Sequence, residues 1–231
     1  MRKLVIVLSA AVAAACGSSS SSTPPPPTAL GGKIAGQTFT PVETRAMLLA
    51  SGSTPCEFPN PSGIGTITVG FRAVAIETAS YTGVCGDLTS AVCQVHPNTQ
   101  NVTALVAKVD LAGGDPTLGP GTYLASSDFS MIVAPGYGGW AQTLAVGADP
   151  VTTVTTSTTV SGSIRLDTVP SSGSSPVTGH LALTFDGGNS LNGDFSAQYC
   201  TTGLPNACAL AGTLFQALSG GATAQGICTP P

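Results

Sequence analysis

Seven cysteines, two histidines and eleven carboxylates carry whatever side-chain chemistry this chain has, and their spacing favours cross-linking over catalysis. Setting Cys16 aside, Cys56, Cys85, Cys93, Cys200, Cys208 and Cys228 are even in number and contain no Cys-x-x-Cys pair, so they read as three disulfides rather than a metal site. Six cysteines can pair in fifteen ways. Short loops containing Gly86 and Gly203 favour Cys85 with Cys93 and Cys200 with Cys208, leaving Cys56 for Cys228. His96 and His180 belong to the one residue type whose ordinary titration falls near neutrality, and both are expected to be solvated, His180 on the polar phase of a strand. A nucleophile elbow, a His-Glu-x-x-His metal helix, a phosphate loop and a dinucleotide fingerprint are all missing from the sequence. The residues therefore call for no cofactor. Paired carboxylates of the glycosidase kind meet only in space and stay open at this level.

Two segments could bind a ligand. In Pro135-Gly136-Tyr137-Gly138-Gly139-Trp140, Tyr137 and the single Trp sit among glycines, as in loops that offer an aromatic face to a sugar ring. The favoured alternative is that Trp140 opens a strand and plugs the core. Asp186-Gly187-Gly188-Asn189, leading on to Asp194, is rich in oxygen but lacks the ligand spacing of a calcium loop, so it reads as a hairpin turn. Asn101-Val102-Thr103 is a glycosylation sequon, which by itself assigns no function.

The elements that must position these residues are strands. Val177, Gly179, Leu181, Leu183 and Phe185 alternate with polar residues, and Leu191, Gly193, Phe195, Ala197 and Tyr199 repeat the phase after a Gly187-Gly188-Asn189-Ser190 turn. Val160, Gly162, Ile164, Leu166 and Thr168 precede them, which predicts a three-strand meander with one apolar face. Further strands are expected at 65–76, 121–125, 129–134, 140–146 and 151–159. Residues 102–111 fit a helical stripe or a strand, and the β-branched content favours the strand. Residues 209–218 fit either. About ten short strands separated by Gly and Pro predict a single all-β domain, a sandwich or a partly closed barrel.

The N-terminus has a separate logic. Arg2-Lys3 followed by an apolar run from Leu4 to Ala15 would span about 18 Å as a helix, well short of a hydrocarbon core of about 30 Å, so it is an export segment and not a membrane span. Ala13-Ala14-Ala15-Cys16 resembles the lipobox of bacterial lipoproteins, departing from it at Ala13, where Leu is commoner. The resemblance implies that residues 1–15 are removed, that Cys16 becomes the lipid-modified amino terminus, and that a lipid membrane is the first partner. An ordinary secretory signal is the alternative. Gly17, rather than Asp, after the cysteine fits sorting to the outer membrane. Residues 16–30 run through Ser18 to Ser22 and Pro24 to Pro27, a polar low-complexity stretch with nothing to bury and a reach of about 35 Å. The domain is then 31–231. Its alternating motifs, together with Gly36-x-x-Phe39-x-Pro41 and Pro120-Gly121-Thr122-Tyr123, resemble the β-rich bodies of uncharacterised bacterial lipoproteins, a likeness that implies fold and not reaction.

Charge excludes one class of partner. Once Arg2 and Lys3 are gone, five Lys and Arg stand against eleven Asp and Glu, with no basic cluster, which argues against nucleic-acid binding. Only 8% of residues are charged, against about a quarter in ordinary domains, and Gly, Ser and Thr make up the difference. The leading expectation is a non-catalytic, membrane-anchored cell-envelope lipoprotein with a structural or interaction role. A carbohydrate or small-ligand binding module using Tyr137 and Trp140 comes second, and an unconventional hydrolase third.

Overall fold

The computed structural model describes residues 28–50, 55–59, 65–89, 96–128, 131–132, 137–149, 154–157, 159–171, 175–201 and 208. The predicted meander is present as β10 (Val160–Thr168), β11 (Val177–Phe185) and β12 (Asn189–Tyr199), paired in the register Ile164 to Leu181 to Gly193. Asp186–Gly188 makes the turn, with Gly187 and Gly188 at φ 65° and 73°, a left-handed backbone that a residue lacking Cβ adopts without strain. Leu181, Leu183, Phe185, Leu191 and Phe195 are buried on one face, while Arg165, Asp167 and Asp194 stay on the other.

The apolar face is covered by the sheet itself, which closes. The remaining elements are β1 (Gly31–Ile34), β2 (Gln37–Phe39), β3 (Glu43–Ala50), β4 (Cys56–Pro59), β5 (Thr66–Ala79), α1 (Val84–Thr89), β6 (Thr99–Asp110), β7 (Gly121–Ser126), β8 (Tyr137–Val146) and β9 (Val154–Thr156). Eight strands form a ring in the order β11-β10-β7-β8-β6-β5-β3-β12, and the β11–β12 hairpin closes it. Pairs are antiparallel except β12 with β3 and β7 with β8. β1 and β2 form a hairpin on β12, β4 extends β5, and β9 extends β8. The all-β class is as expected, and the architecture is the barrel, fully closed.

Two apolar clusters explain the sequence patterns. Val74 and Ile76 of β5, Val102, Ala104 and Val106 of β6, and the inward residues of β10–β12 fill the barrel. Phe71, Ala73 and Ala75 of β5 and Leu105 and Ala107 of β6 point outward into a second cluster with Met47, Leu49, Cys56, Ile132 and Trp140. Strands β5 and β6 are therefore buried on both faces. Continuous burial is why 102–111 fits a helical stripe as well as a strand.

Several expectations need correction. Segment 129–134 is not a strand at its described residues, Met131 and Ile132. They lie in a 3-10 turn where the Met131 N–H donates to the Asp128 carbonyl at 3.1 Å. Of the strand expected at 151–159, Val154–Thr156 is a strand while Ser157 and Thr159 are not, and 151–153 and 158 lie outside the described residues. β3 reads as Glu-Thr-Arg-Ala-Met-Leu-Leu-Ala, mostly good helix formers, yet it is a strand because it fills the gap between β5 and β12. Residues 1–27, Cys93, Cys228 and 209–218 lie outside the described residues.

The disulfide pairing also differs. Cys56 joins Cys208 and Cys85 joins Cys200, with Cα separations of 5.2 and 5.4 Å. Topology overrides local loop length here. Cys200 leaves β12 where its N–H donates to the Ala46 carbonyl of β3 at 2.8 Å, and α1, carrying Cys85, packs on β3 and β5. The parallel β3–β12 contact therefore places residues 115 apart in sequence within bonding reach. Such bonds belong to an oxidising, non-cytoplasmic compartment. No described helix is long and apolar enough to cross a membrane.

The chain enters the barrel over β12. Asp194 accepts from the Thr28 N–H at 2.6 Å through its carboxylate and donates its own N–H to the Thr28 carbonyl at 2.8 Å. Gly193, at φ 137°, permits this crossing, since a Cβ there would meet the Ala29 oxygen at 2.5 Å and the Leu30 Cα at 2.6 Å.

Candidate functional site

Three polar constellations stand out among the described residues, and two contain a histidine. On the outer face of β10–β12, His180 Nδ1 lies 2.7 Å from Asp194 Oδ1, its Nε2 lies 3.2 Å from Asn192 Oδ1, and Arg165 Nη2 is 3.7 Å from the same Asp194 oxygen. The contact with His180 and the Thr28 N–H hold the Asp194 carboxyl below the usual carboxylate range. This is a cross-strand clamp on the entering chain. The Asp186–Asn189 turn considered for calcium is likewise structural, because Asn189 donates to the Asp186 carbonyl at 2.8 Å and accepts from the Gly36 N–H at 3.2 Å.

The second constellation lies where β5 and β6 meet α1. Glu77 faces outward from β5, opposite Arg45 of β3 and Thr103 of β6, and is only 6% exposed. Asn101 donates to its Oε1 at 2.8 Å. Burial pushes its pKa up to about 7, the Asn101 hydrogen bond pulls against that rise, and the nearby Asp87 charge adds to it. Asp87 of α1 accepts from the Tyr81 hydroxyl at 2.8 Å and lies 3.0 Å from His96 Nε2. Tyr81 and His96 also stack with ring centroids 4.4 Å apart. Burial, followed by the Asp87 acceptor, raises the Tyr81 pKa far above its ordinary value. Glu43 anchors the near end of the helix by accepting from the Gly83 and Val84 N–H groups at 2.6 and 3.1 Å and from Arg45 at 2.6 Å. Burial works to raise the Glu43 pKa, but these donors outweigh it and leave it lowered.

The fold thus brings a histidine and acids together, which the sequence alone could not reveal. The His96 side chain is 37% exposed and paired, so it is not simply solvated. Asp87 orients its imidazole as the acid does in a base dyad. Among the described residues, though, no Ser, Thr or Cys is hydrogen-bonded to the ring. The Thr99 hydroxyl donates to the His96 backbone carbonyl at 2.6 Å and the Tyr81 hydroxyl to Asp87, so neither is bonded to the ring. The one signal that could have flagged the site is a lone Glu77 inside the apolar run Val74-Ala75-Ile76 of β5.

The third feature is the barrel mouth. The Ala35-Gly36 turn between β1 and β2, Ser80 after β5, Asn98 before β6, Gly147 after β8 and the Asp186–Gly188 turn converge on two adjoining grooves of about 360 and 200 Å³. Both are lined by Ala35, Ala145 and Thr155. Gln100 fixes the floor, with its side-chain amide donating to the Ile34 carbonyl at 2.9 Å and its N–H donating to Ser80 Oγ at 2.9 Å.

The aromatic pair singled out from the sequence lies elsewhere. Trp140 is 4% exposed and packs in the outer cluster with Leu105 and Phe71. Tyr137 opens β8 with its backbone paired to Leu124, and its ring is outside the described side chains. An indole so placed offers no face to a sugar. Because Trp140 is the single Trp, the emission maximum should be blue-shifted, and iodide should quench it several-fold less in the native protein than in urea. Equal quenching in the two states would contradict the burial. The six paired-cysteine candidates divide into the four bonded ones above and Cys93 and Cys228, and Cys16 lies in the undescribed amino-terminal segment. No family model, no characterised protein and no solved structure matches the chain.

Proposed function

We propose that this chain is a lipid-anchored cell-envelope protein, moored at the outer membrane through acylated Cys16, with the barrel as a structural or interaction module. The observation that carries the reading is the distribution of polarity. On β10, β11 and β12 the outward residues include Arg165, Asp167, Thr178, His180, Asn192 and Asp194, while the inward ones are mostly Leu, Ile, Val and Phe, with Ala197 and Tyr199. A barrel that spans a bilayer has the reverse pattern, an apolar outer band around a polar interior. Attachment to a membrane must therefore come from another segment, and the lipobox-like Ala13-Ala14-Ala15-Cys16 supplies a chemical means. The two disulfides agree with export. Residues 16–27 then act as the spacer up to Thr28, where Asp194 clamps the chain. A diacylglyceryl and an amide-linked chain together hold a protein stably, whereas a single acyl chain does so only marginally.

Metabolic labelling with an alkynyl palmitate tests this. The wild-type protein should take up label and fractionate with outer membrane, and Cys16→Ser should abolish both. An unlabelled wild-type product, or unchanged fractionation of the variant, would overturn the proposal.

A further inference from the structure

We infer that the barrel mouth is a binding site for a neutral saccharide, bound edge-on by side-chain amides and hydroxyls. The larger groove, at about 360 Å³, is within the range of about 300–1,000 Å³ seen for small-molecule sites. Its lining supplies Gln37, Asn98, Gln100 and Thr155, and the smaller groove continues it with Thr156. Among the described residues neither groove is lined by Lys or Arg, and the smaller one includes Asp186. A phosphate, sulfate or uronate would find no cation there. The apolar lining is confined to short side chains such as Ala35, Ala145 and Val146, too shallow to seat the alternating side chains of a bound peptide. Multiple amide donors and hydroxyls on a small apolar floor match the equatorial hydroxyls and C–H faces of a sugar.

Backbone strain falls at the same place. Among the described residues the non-glycine positions with positive φ are Ala35, at 48°, and Asn98, at 56°, and both line the larger groove. Ala in a left-handed conformation is disfavoured, and such outliers concentrate at ligand sites. The Asn98 backbone N–H donates to the Gly147 carbonyl at 2.9 Å, which holds its amide at the rim.

The site is independent of the anchor, so its test separates from the one above. The full-length protein in a sugar-free zwitterionic detergent would be titrated with cellobiose, di-N-acetylchitobiose and a diuronic acid, following backbone amides by NMR. A neutral disaccharide should shift Ala35, Asn98, Gln100 and Thr155 with millimolar affinity, and the diuronic acid at least tenfold more weakly. Asn98→Gly, which keeps the left-handed backbone, and Gln37→Ala should each weaken binding about fivefold to tenfold with the thermal midpoint unchanged, the loss typical of one hydrogen bond. Cys16→Ser should bind as the wild type does. Shifts located elsewhere, equal binding of the diuronic acid, binding of a peptide in place of the sugars, or no shift with any neutral disaccharide would overturn the inference.

Discussion

Reduction of the disulfides should lower stability by about 6 kcal/mol in total, comparable with the whole net stability of about 5–15 kcal/mol of an ordinary domain. The two bridges are nested, which sets how the loss divides. Cys56 and Cys208 close a loop of 152 residues, for which chain entropy alone gives about 5 kcal/mol. Once that bond exists, Cys85 and Cys200 are linked through it by only 29 and 8 residues, the distances from Cys56 to Cys85 and from Cys200 to Cys208. The second bond then removes less, about 4 kcal/mol by the same relation, and measured bridges usually deliver about 2–4 kcal/mol each. With a urea slope of about 2–3 kcal/mol/M, the unfolding midpoint should fall by about 2–3 M in dithiothreitol. An unchanged midpoint with the thiols shown to be free would refute this. Tryptic peptides test the connectivity directly, since cleavage after Arg45, Arg72, Lys108 and Arg165 isolates residues 46–72, 73–108 and 166–231. Unreduced digests should hold all three together. Release of 73–108 as a free peptide would restore the pairing of Cys85 with Cys93.

Raising the pH from 5 to 8 should cost about 2–3 kcal/mol of stability through Glu77 alone. Its pKa is near 7 in the folded protein against 4.5 for an exposed carboxyl, so the folded state binds the proton more tightly. The contribution is complete below pH 4.5, fades as pH rises and is lost above 7. Glu43 and Asp194, with lowered values, act in the opposite sense and lose their contribution only as the pH falls through the acid range. Of these three carboxyls only Glu77 acts in the window above pH 5, and comparison with Glu77→Gln isolates its share. Glu77→Gln keeps an acceptor for Asn101 and carries no charge, so it should flatten the pH dependence and raise stability at pH 8 by about 2 kcal/mol. Urea unfolding of both proteins across this range measures the effect. A wild-type curve that is flat or rises towards pH 8 would disprove the assignment.

Legibility from sequence followed the number of faces that each strand buries. β10, β11 and β12 bury one face and expose the other, so a period of two is visible and their bounds emerge within a few residues. β5 and β6 are sandwiched between the barrel interior and the outer cluster, which erases the alternation and leaves length and β-branching as the only signals. β3 was invisible because its residues prefer helix and its role is assigned by neighbours far away in sequence. The same long range hid the disulfides, whose partners lie 152 and 115 residues apart, whereas His96–Asp87 and His180–Asp194 are local pairs, the second directly across the predicted hairpin. Local spacing predicted compact cysteine loops, whereas the β3–β12 junction draws Cys200 towards α1. Trp140 is the plug that its place among glycines suggests, although in the outer cluster and not in the barrel. The groove is built from five segments far apart in sequence, which only the closed barrel brings together.

β12 completes the ring on one side through β11 and on the other through β3, whose partners lie some 150 positions earlier, as with Gln198 and Arg45. No subset of earlier strands can shut the cylinder. A chain delivered amino terminus first must therefore hold seven strands unsealed until its last fifth arrives, and assembly with so many distant contacts is intrinsically slow. Exposure to proteases and to misassembly is greatest in that interval, which makes the timing of delivery, more than the strength of the finished barrel, the vulnerable point in this protein's life.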